Sequence, residues 1–197
     1  MNILSGKIFL TSDLHLLHDR EFIWKARGFN SVDEMDEEII RRFNETVGPE
    51  DTVYILGDIA LGGGSQETLE KAKSLIERLN GSLCLIRGNH DTDNRVRMYR
   101  DCKNVVSCGL WATCIKYKGY HFYLSHFPTL TANLEKESLK QTVINLCGHN
   151  HTSEWYKDMD KGVIYHCEVD AHNCYPVSIN KIMEDLKTYL DKEGQIS

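Results

Sequence analysis

"KIFLTSDLHLLH", Lys7 to His18, opens with an apolar run and then breaks into Asp13, His15 and His18. The run reads as a short β-strand. An ordinary surface turn has little use for an acid and two histidines within six residues, so the cluster after the strand is either polar punctuation or the start of a ligand set. The same arrangement recurs along the chain. "DTVYILGD" (51–58), "SLCLIRGN" (82–89), "YHFYLSH" (120–126), "VINLCGH" (143–149) and "VIYHCEVD" (163–170) are β-rich runs, most of which end in a polar cluster.

Helical patterns separate the early runs. "SVDEMDEEIIRRFNETV" (31–47) places Val32, Met35, Ile39, Ile40, Phe43 and Val47 on one face, with Ser31 and Glu34 at capping-box spacing. "SQETLEKAKSLIERLNG" (65–81) carries the stripe Leu69, Ala72, Leu75, Ile76 and Leu79 and stops at Asn80-Gly81. After Pro176, "VSINKIMEDLKTYL" (177–190) gives a third helix with Ile179, Ile182, Met183, Leu186 and Leu190 inward. Strands alternating with helices early, followed mostly by strands, predict an α/β or α+β layered fold with helices outside a β core.

Bulk properties narrow the function classes. A chain of 197 residues fits one domain, 1–197, and can bury a sizeable core. Its hydrophobic content of 41% and charged content of 26% are ordinary for a globular protein. The net charge of -6 disfavours an extended nucleic-acid surface, although a small phosphorylated substrate is allowed where metal ions supply local positive charge. Neither a signal peptide nor an apolar span long enough for a membrane is apparent, so the expected location is cytoplasmic. The oligomeric state is not legible. Seven cysteines without a C-x-x-C pair read as reduced, mostly buried small apolar residues, not as zinc ligands or a disulfide framework.

The strand ends supply, in order, Asp13-x-His15, Gly57-Asp58, Gly88-Asn89-His90-Asp91, Ser125-His126 and Gly148-His149-x-His151. All are metal-ligand types. Strand ends converge at one edge of a sheet, where such folds build their sites. Imidazole with carboxylate and amide oxygen suits Mn, Fe, Zn or Mg, with Mn favoured, and the lack of a thiolate argues against structural zinc. So many ligands exceed what one ion takes, which implies two divalent ions.

In these five blocks the chain resembles the calcineurin-like metallophosphoesterases, whose signature is D-x-H, G-D, G-N-H-D/E, a lone H and G-H-x-H. The blocks span Asp13 to His151. The chain is similar in particular to small bacterial and phage members that begin T-S-D-x-H-x-x-H and carry V-G-P-E-D-T-V-Y before the G-D block, as Val47 to Asp58 does here. The resemblance implies a four-layer α/β/β/α sandwich of two packed sheets flanked by helices, with a dinuclear site at the sheet edge. It implies that Asp13, His15 and His151 hold one metal, that Asn89, His126 and His149 hold the other, and that Asp58 bridges them. His90 is implied to stay unligated, beside the substrate phosphoryl group.

Two such metals activate a hydroxide and clamp phosphoryl oxygens during in-line attack, so no protein nucleophile is required. His90, next to Asn89, is placed to assist the leaving oxygen. His18 reads either as a loop residue or as a substrate contact. Arg87 and the run "DTDNRVRMYRDCK" (91–103), with Arg95, Arg97 and Arg100, read either as a solvated face or as phosphate contacts. His121 reads as structural, and His166 and His172 remain open. The expected activity is hydrolysis of a phosphomonoester or phosphodiester. A nuclease or cyclic-phosphate phosphodiesterase is the alternative on the same site, and a non-catalytic scaffold is the alternative outside enzymology.

Overall fold

The computed structural model describes residues 6–131 and 138–192. In chain order its elements are β1 (Ile8–Thr11), α1 (Glu21–Trp24), α2 (Val32–Thr46), β2 (Thr52–Leu56), α3 (Gln66–Ile76), β3 (Ser82–Ile86), α4 (Asp93–Arg100), β4 (Val105–Leu110), β5 (Ala112–Tyr117), β6 (Tyr120–Ser125), β7 (Val143–Cys147), β8 (Ile164–His166), β9 (Val177–Ser178) and α5 (Ile179–Lys192). One sheet has the order β4-β3-β2-β1-β9 and the other β5-β6-β7-β8. In the first, β1 to β4 run parallel, with Leu10 beside Tyr54 and Tyr54 beside Cys84, and β9 closes the edge antiparallel. In the second, β5 and β6 form an antiparallel hairpin and β6, β7 and β8 are parallel.

The period-two alternation of the first sheet divides the core. Phe9, Val53, Ile55, Leu83 and Leu85 face a cluster completed by Ile39 and Phe43 of α2, Leu75 and Ile76 of α3, and Val96 and Tyr99 of α4. Leu10, Leu56 and Ile86 point the other way, into a cluster with Phe122, Leu124, Ile144, Leu146 and Tyr165 of the second sheet. The stripe Ile179, Ile182, Met183, Leu186 and Leu190 of α5 enters that second cluster. The result is two mixed sheets flanked by helices, a layered fold as the sequence pattern predicts and with the two sheets that the family resemblance implies. Ser31 and Ser65 cap α2 and α3, accepting hydrogen bonds from the backbone N–H of Glu34 and Thr68.

Four departures from the sequence reading have local causes. "VIYHCEVD" pairs over only three residues, because Val169 N–H turns away to the Ser12 carbonyl. Val177 and Ser178 form β9 before α5 begins. The weakly apolar stretch 105–117 supplies β4 and β5, whose solvent-facing alternation hides them from a search for apolar runs. Part of the charged run after Asp91 is helix α4, which buries Val96, Met98 and Tyr99. All seven cysteines are free; Cys102, Cys147, Cys167 and Cys174 are buried, whereas Cys114 is exposed. No helix among the described residues is long and apolar enough to cross a membrane.

Behind the sheet edge lies a buried cluster of His166 with Glu168 and Asp158. His166, fully buried, places Nδ1 at 2.9 Å from Glu168 Oε1 and Nε2 at 3.0 Å from Asp158 Oδ2. Burial pulls the His166 pKa down, but the Glu168 and Asp158 carboxylates outweigh it and hold the ring above its ordinary value. A group raised in the folded state contributes stability that is complete below its unfolded pKa of about 6.5. That contribution is lost as pH rises through the folded pKa, when the two carboxylates lose the cation between them. Thermal stability is therefore expected to fall as pH rises above neutrality. His166→Gln should lower stability at pH 6 and flatten this part of the profile. A variant whose melting temperature keeps the wild-type slope would remove His166 from that role.

Candidate metal centre

The five blocks follow β1, β2, β3, β6 and β7, and their loops are laced together. Asp13 N–H donates to the Gly57 carbonyl, His15 N–H to Asp58, Leu16 N–H to Ile59 and Gly148 N–H to His126. Asp13, His15, Leu17, Asp58, His149 and His151 all have left-handed backbones, with φ of 55°, 52°, 62°, 52°, 77° and 47°. Such a conformation costs a non-glycine residue on the order of 1–2 kcal/mol and persists only where the surroundings enforce it. Two glycines show how tight the loops are. A Cβ on Gly88 would lie 2.2 Å from Asp58 Oδ1, and one on Gly148 would lie 2.3 Å from Asp13 Oδ2.

The ligand-type side chains meet. Asp58 Oδ2 lies 3.7 Å from His15 Nε2, 3.5 Å from His126 Nε2 and 3.9 Å from His90 Nε2. Asp13 Oδ1 lies 3.8 Å from the Nε2 atoms of both His15 and His151. On the other side, His126 Nε2 is 2.9 Å from Asn89 Oδ1 and 3.2 Å from His149 Nδ1. Two groups, Asp13 with His15 and His151, and Asp13 with Asp58 and His126, bring their ligand atoms close enough to share an ion. Asp58 stands between the His15 and His126 sides.

The donor set fits divalent cations. Asp13 Oδ1 and His15 Nε2 are buried and have no hydrogen-bond partner among the described residues, an arrangement that is costly unless a cation completes it. Burial raises the Asp13 carboxyl, yet His15, His126, His151 and the Ser12 hydroxyl together hold it below the usual carboxylate range. Burial lowers the pKa of His15 and of His149, which favours the neutral ring with a lone pair to offer.

A supporting layer fixes these groups, and most of it escaped the sequence reading. Asp170 Oδ2 lies 3.0 Å from His151 Nδ1, while the buried Arg27 grips both Asp170 oxygens at 2.9 Å and the carbonyls of Asp13 and Leu14. One guanidinium thus ties the Asp13 loop to the His151 orienter. Asp91 accepts the backbone N–H groups of Asp58, Gly88 and Ile59, and Tyr99 donates its hydroxyl to Asp91 Oδ1 at 2.7 Å. Burial holds the Asp91 pKa above its ordinary value, and its accepted bonds anchor the turn under Asp58. The signals for Arg27 and Asp170 are pairings 143 residues apart.

The remaining candidates divide. His18 joins the site, with Nδ1 2.9 Å from His15 Nδ1 and the rings stacked at 5.0 Å. Burial, with His15 and His90 nearby, pushes its pKa down to about 4. The arginines are placed otherwise than a phosphate clamp requires. Arg95 donates to the carbonyls of His90, Leu61 and Gly62, strapping the loop at Leu61–Gly62 to the His90 turn. Arg87 donates to the Asp91 carbonyl, pairs with Asp93 and stacks on Trp111 at 4.7 Å. Arg97 bonds Asn94 and lines a crevice between α3 and α4. The physical reason is that α4 begins directly after Thr92 and turns the run onto the helical layer. His121 is exposed on β6, opposite the buried Phe122 and Leu124. His172 bonds the His166 carbonyl and stacks on Trp155, and His166 sits in the buried group described above.

Residues 7–169 match the family model for the calcineurin-like phosphoesterase superfamily domain. The chain belongs to that superfamily. It is 32% identical over 179 residues to an uncharacterized protein of Methanocaldococcus jannaschii, covering 90% of each chain. It is 30% identical over 202 residues to the gene 66 protein of Mycobacterium phage D29, covering 92% of this chain and 98% of the phage protein. A crystal structure of a protein of unknown function from Aquifex aeolicus shares the fold, with a TM-score of 0.67 at 20% identity, over 91% of this chain and 99% of that one. As a member of a metal-dependent phosphoesterase superfamily, this chain offers its Asp and His groups as candidate metal sites.

Proposed function

We propose that the protein is a hydrolase of phosphoric esters that uses two divalent cations, with manganese the favoured metal. The observation that carries this reading is the position of Asp58 Oδ2, within 3.7 Å of both His15 and His126, with Asp13 and His151 on one side and Asn89 and His149 on the other. Asp13, His15 and His151 would hold one cation, Asn89, His126 and His149 the second, and Asp58 both. When bound, such a pair supplies Lewis acidity that brings the pKa of attacking water toward neutrality and neutralises phosphoryl charge.

The chain's own groups do the rest. With His15 Nε2 turned to Asp13 and Asp58, its Nδ1 carries the proton donated to His18 Nδ1, which leaves His18 Nε2–H as a donor for a phosphoryl oxygen. His90, half exposed and held through its backbone N–H by Asp58 Oδ1, gives a proton to the departing ester oxygen as the P–O bond breaks and a water hydroxyl joins phosphorus. Chelator-stripped protein should be inactive on p-nitrophenyl phosphate and bis-p-nitrophenyl phosphate. Mn²⁺ should restore turnover as elemental analysis rises to two ions per chain. Undiminished turnover by the stripped protein, or none by protein carrying two ions, would overturn the proposal.

A further inference from the structure

The two flanks of the ligand cluster differ in chemistry. On one, His90 meets His15 and His18 at ring distances of 5.7 and 6.4 Å, and a cavity of about 370 Å³ lined by His18, Arg20 and Gly62 adjoins it. This flank suits the departing alcohol, because the proton donor is there. On the other flank stands Phe127, whose ring lies edge-on to His126 at 5.0 Å and to His149 at 4.6 Å, yet remains 42% exposed.

Phe127 is held there by its backbone. Ser125 Oγ and Thr129 Oγ1 both donate to its carbonyl, at 2.8 and 3.0 Å, and the fully buried Asn145 accepts from Thr129 N–H and donates to Ser125 Oγ. A ring fixed against two ligand-type histidines with an open face is a preformed apolar wall. Trp111, 57% exposed, immediately precedes the pair of Ala112 with Ser125. Arg87 and Arg95, the cations nearest in sequence to Asn89, are turned onto protein acceptors.

We propose that Phe127 sets the substrate class of the site by receiving the group that stays on phosphorus. It selects phosphodiesters with a flat apolar group there over phosphomonoesters, which carry an oxyanion in that place. The inference rests on the phosphoesterase reading above and adds to it a choice between ester classes.

Three esters with the same p-nitrophenolate leaving group isolate the effect: bis-p-nitrophenyl phosphate, methyl p-nitrophenyl phosphate and p-nitrophenyl phosphate. Wild-type protein loaded with Mn²⁺ should prefer the diaryl ester. Phe127→Ala should raise KM for that ester by about 10-fold, the worth of an apolar contact in specificity, with much smaller changes for the other two. Phe127→Tyr should restore the preference, and metal content should match wild type in both variants. An equal loss on all three esters, or no change on the diaryl ester, would overturn the proposal. Failure of the phosphoesterase reading looks different, since the loaded wild type would then hydrolyse none of the three. Calorimetric binding of phenylphosphonate and methylphosphonate still decides in that case. A phenyl preference erased by Phe127→Ala supports the wall, whereas equal affinities, or a preference that survives the substitution, refute it.

Discussion

Replacing Asp58 by asparagine should reduce turnover by at least the order of 10³-fold and lower the bound metal on both sides of the site. The substitution is nearly isosteric, and asparagine tolerates the left-handed backbone that Asp58 adopts at φ 52° better than most residues do. The turn beneath is held by Asp91 through the backbone N–H of residue 58, which the change leaves in place. Asparagine also keeps an oxygen for the His90 N–H that Asp58 Oδ1 accepts. What disappears is the carboxylate that Oδ2 presents to His15 and His126, and with it the offset to the repulsion of the two cations proposed for the site. Circular dichroism should be near that of wild type while elemental analysis shows metal lost from both positions. A well-folded Asp58→Asn protein with two ions and near-normal turnover would refute the ligand map. His149→Ala, by contrast, should empty mainly the position shared with Asn89 and His126.

The contrast between the candidate ligand residues and the groups that support them explains which side chains the sequence marks. Asp13, His15, Asp58, Asn89, His126, His149 and His151 each follow an apolar run, and the geometry of a sheet brings strand ends together whatever lies between them. Arg27 and Asp170 carry no comparable signal. Their value comes from a guanidinium that reaches two loops at once, and nothing near either residue in sequence marks that pairing. Asp91 stood in a recognisable block, but its partners are backbone groups of Asp58 and Ile59 that only the folded turn supplies.

The arginines show the opposite limit. Their spacing after Asn89 invites a phosphate reading, whereas the carbonyls of Leu61 and Gly62, together with the His90 carbonyl that also accepts Thr92 N–H, claim Arg95. Buried and turning backbone must be satisfied, and that demand competes with ligand binding for the same donors. The fold follows the same division. Helices α2 and α3 are legible from their apolar stripes and serine caps, while β4 and β5, with solvent on one side, carry too little apolar periodicity to be seen.

His90 separates two roles that sequence position alone leaves together. Its ring is half exposed, its Nε2 is 3.9 Å from Asp58 Oδ2, and its main chain is fixed by Asp58 Oδ1 and by Arg95 on its carbonyl. His90→Ala should therefore keep the turn, since both of those bonds use the backbone. If the ring assists the leaving oxygen, its removal costs most where the departing alkoxide most needs a proton. An alkyl phosphate ester should slow by about 10² to 10⁴-fold, the usual worth of such a group. For p-nitrophenyl esters, whose phenolate leaves unaided, the loss should be far smaller. If the ring instead held a cation, its removal would lower metal content and slow both substrates by a similar factor. Rates on both esters and metal content, measured on one preparation, decide between the two. A large loss confined to the alkyl ester at full metal occupancy assigns His90 to the leaving group, and equal losses with a missing ion assign it to the metal.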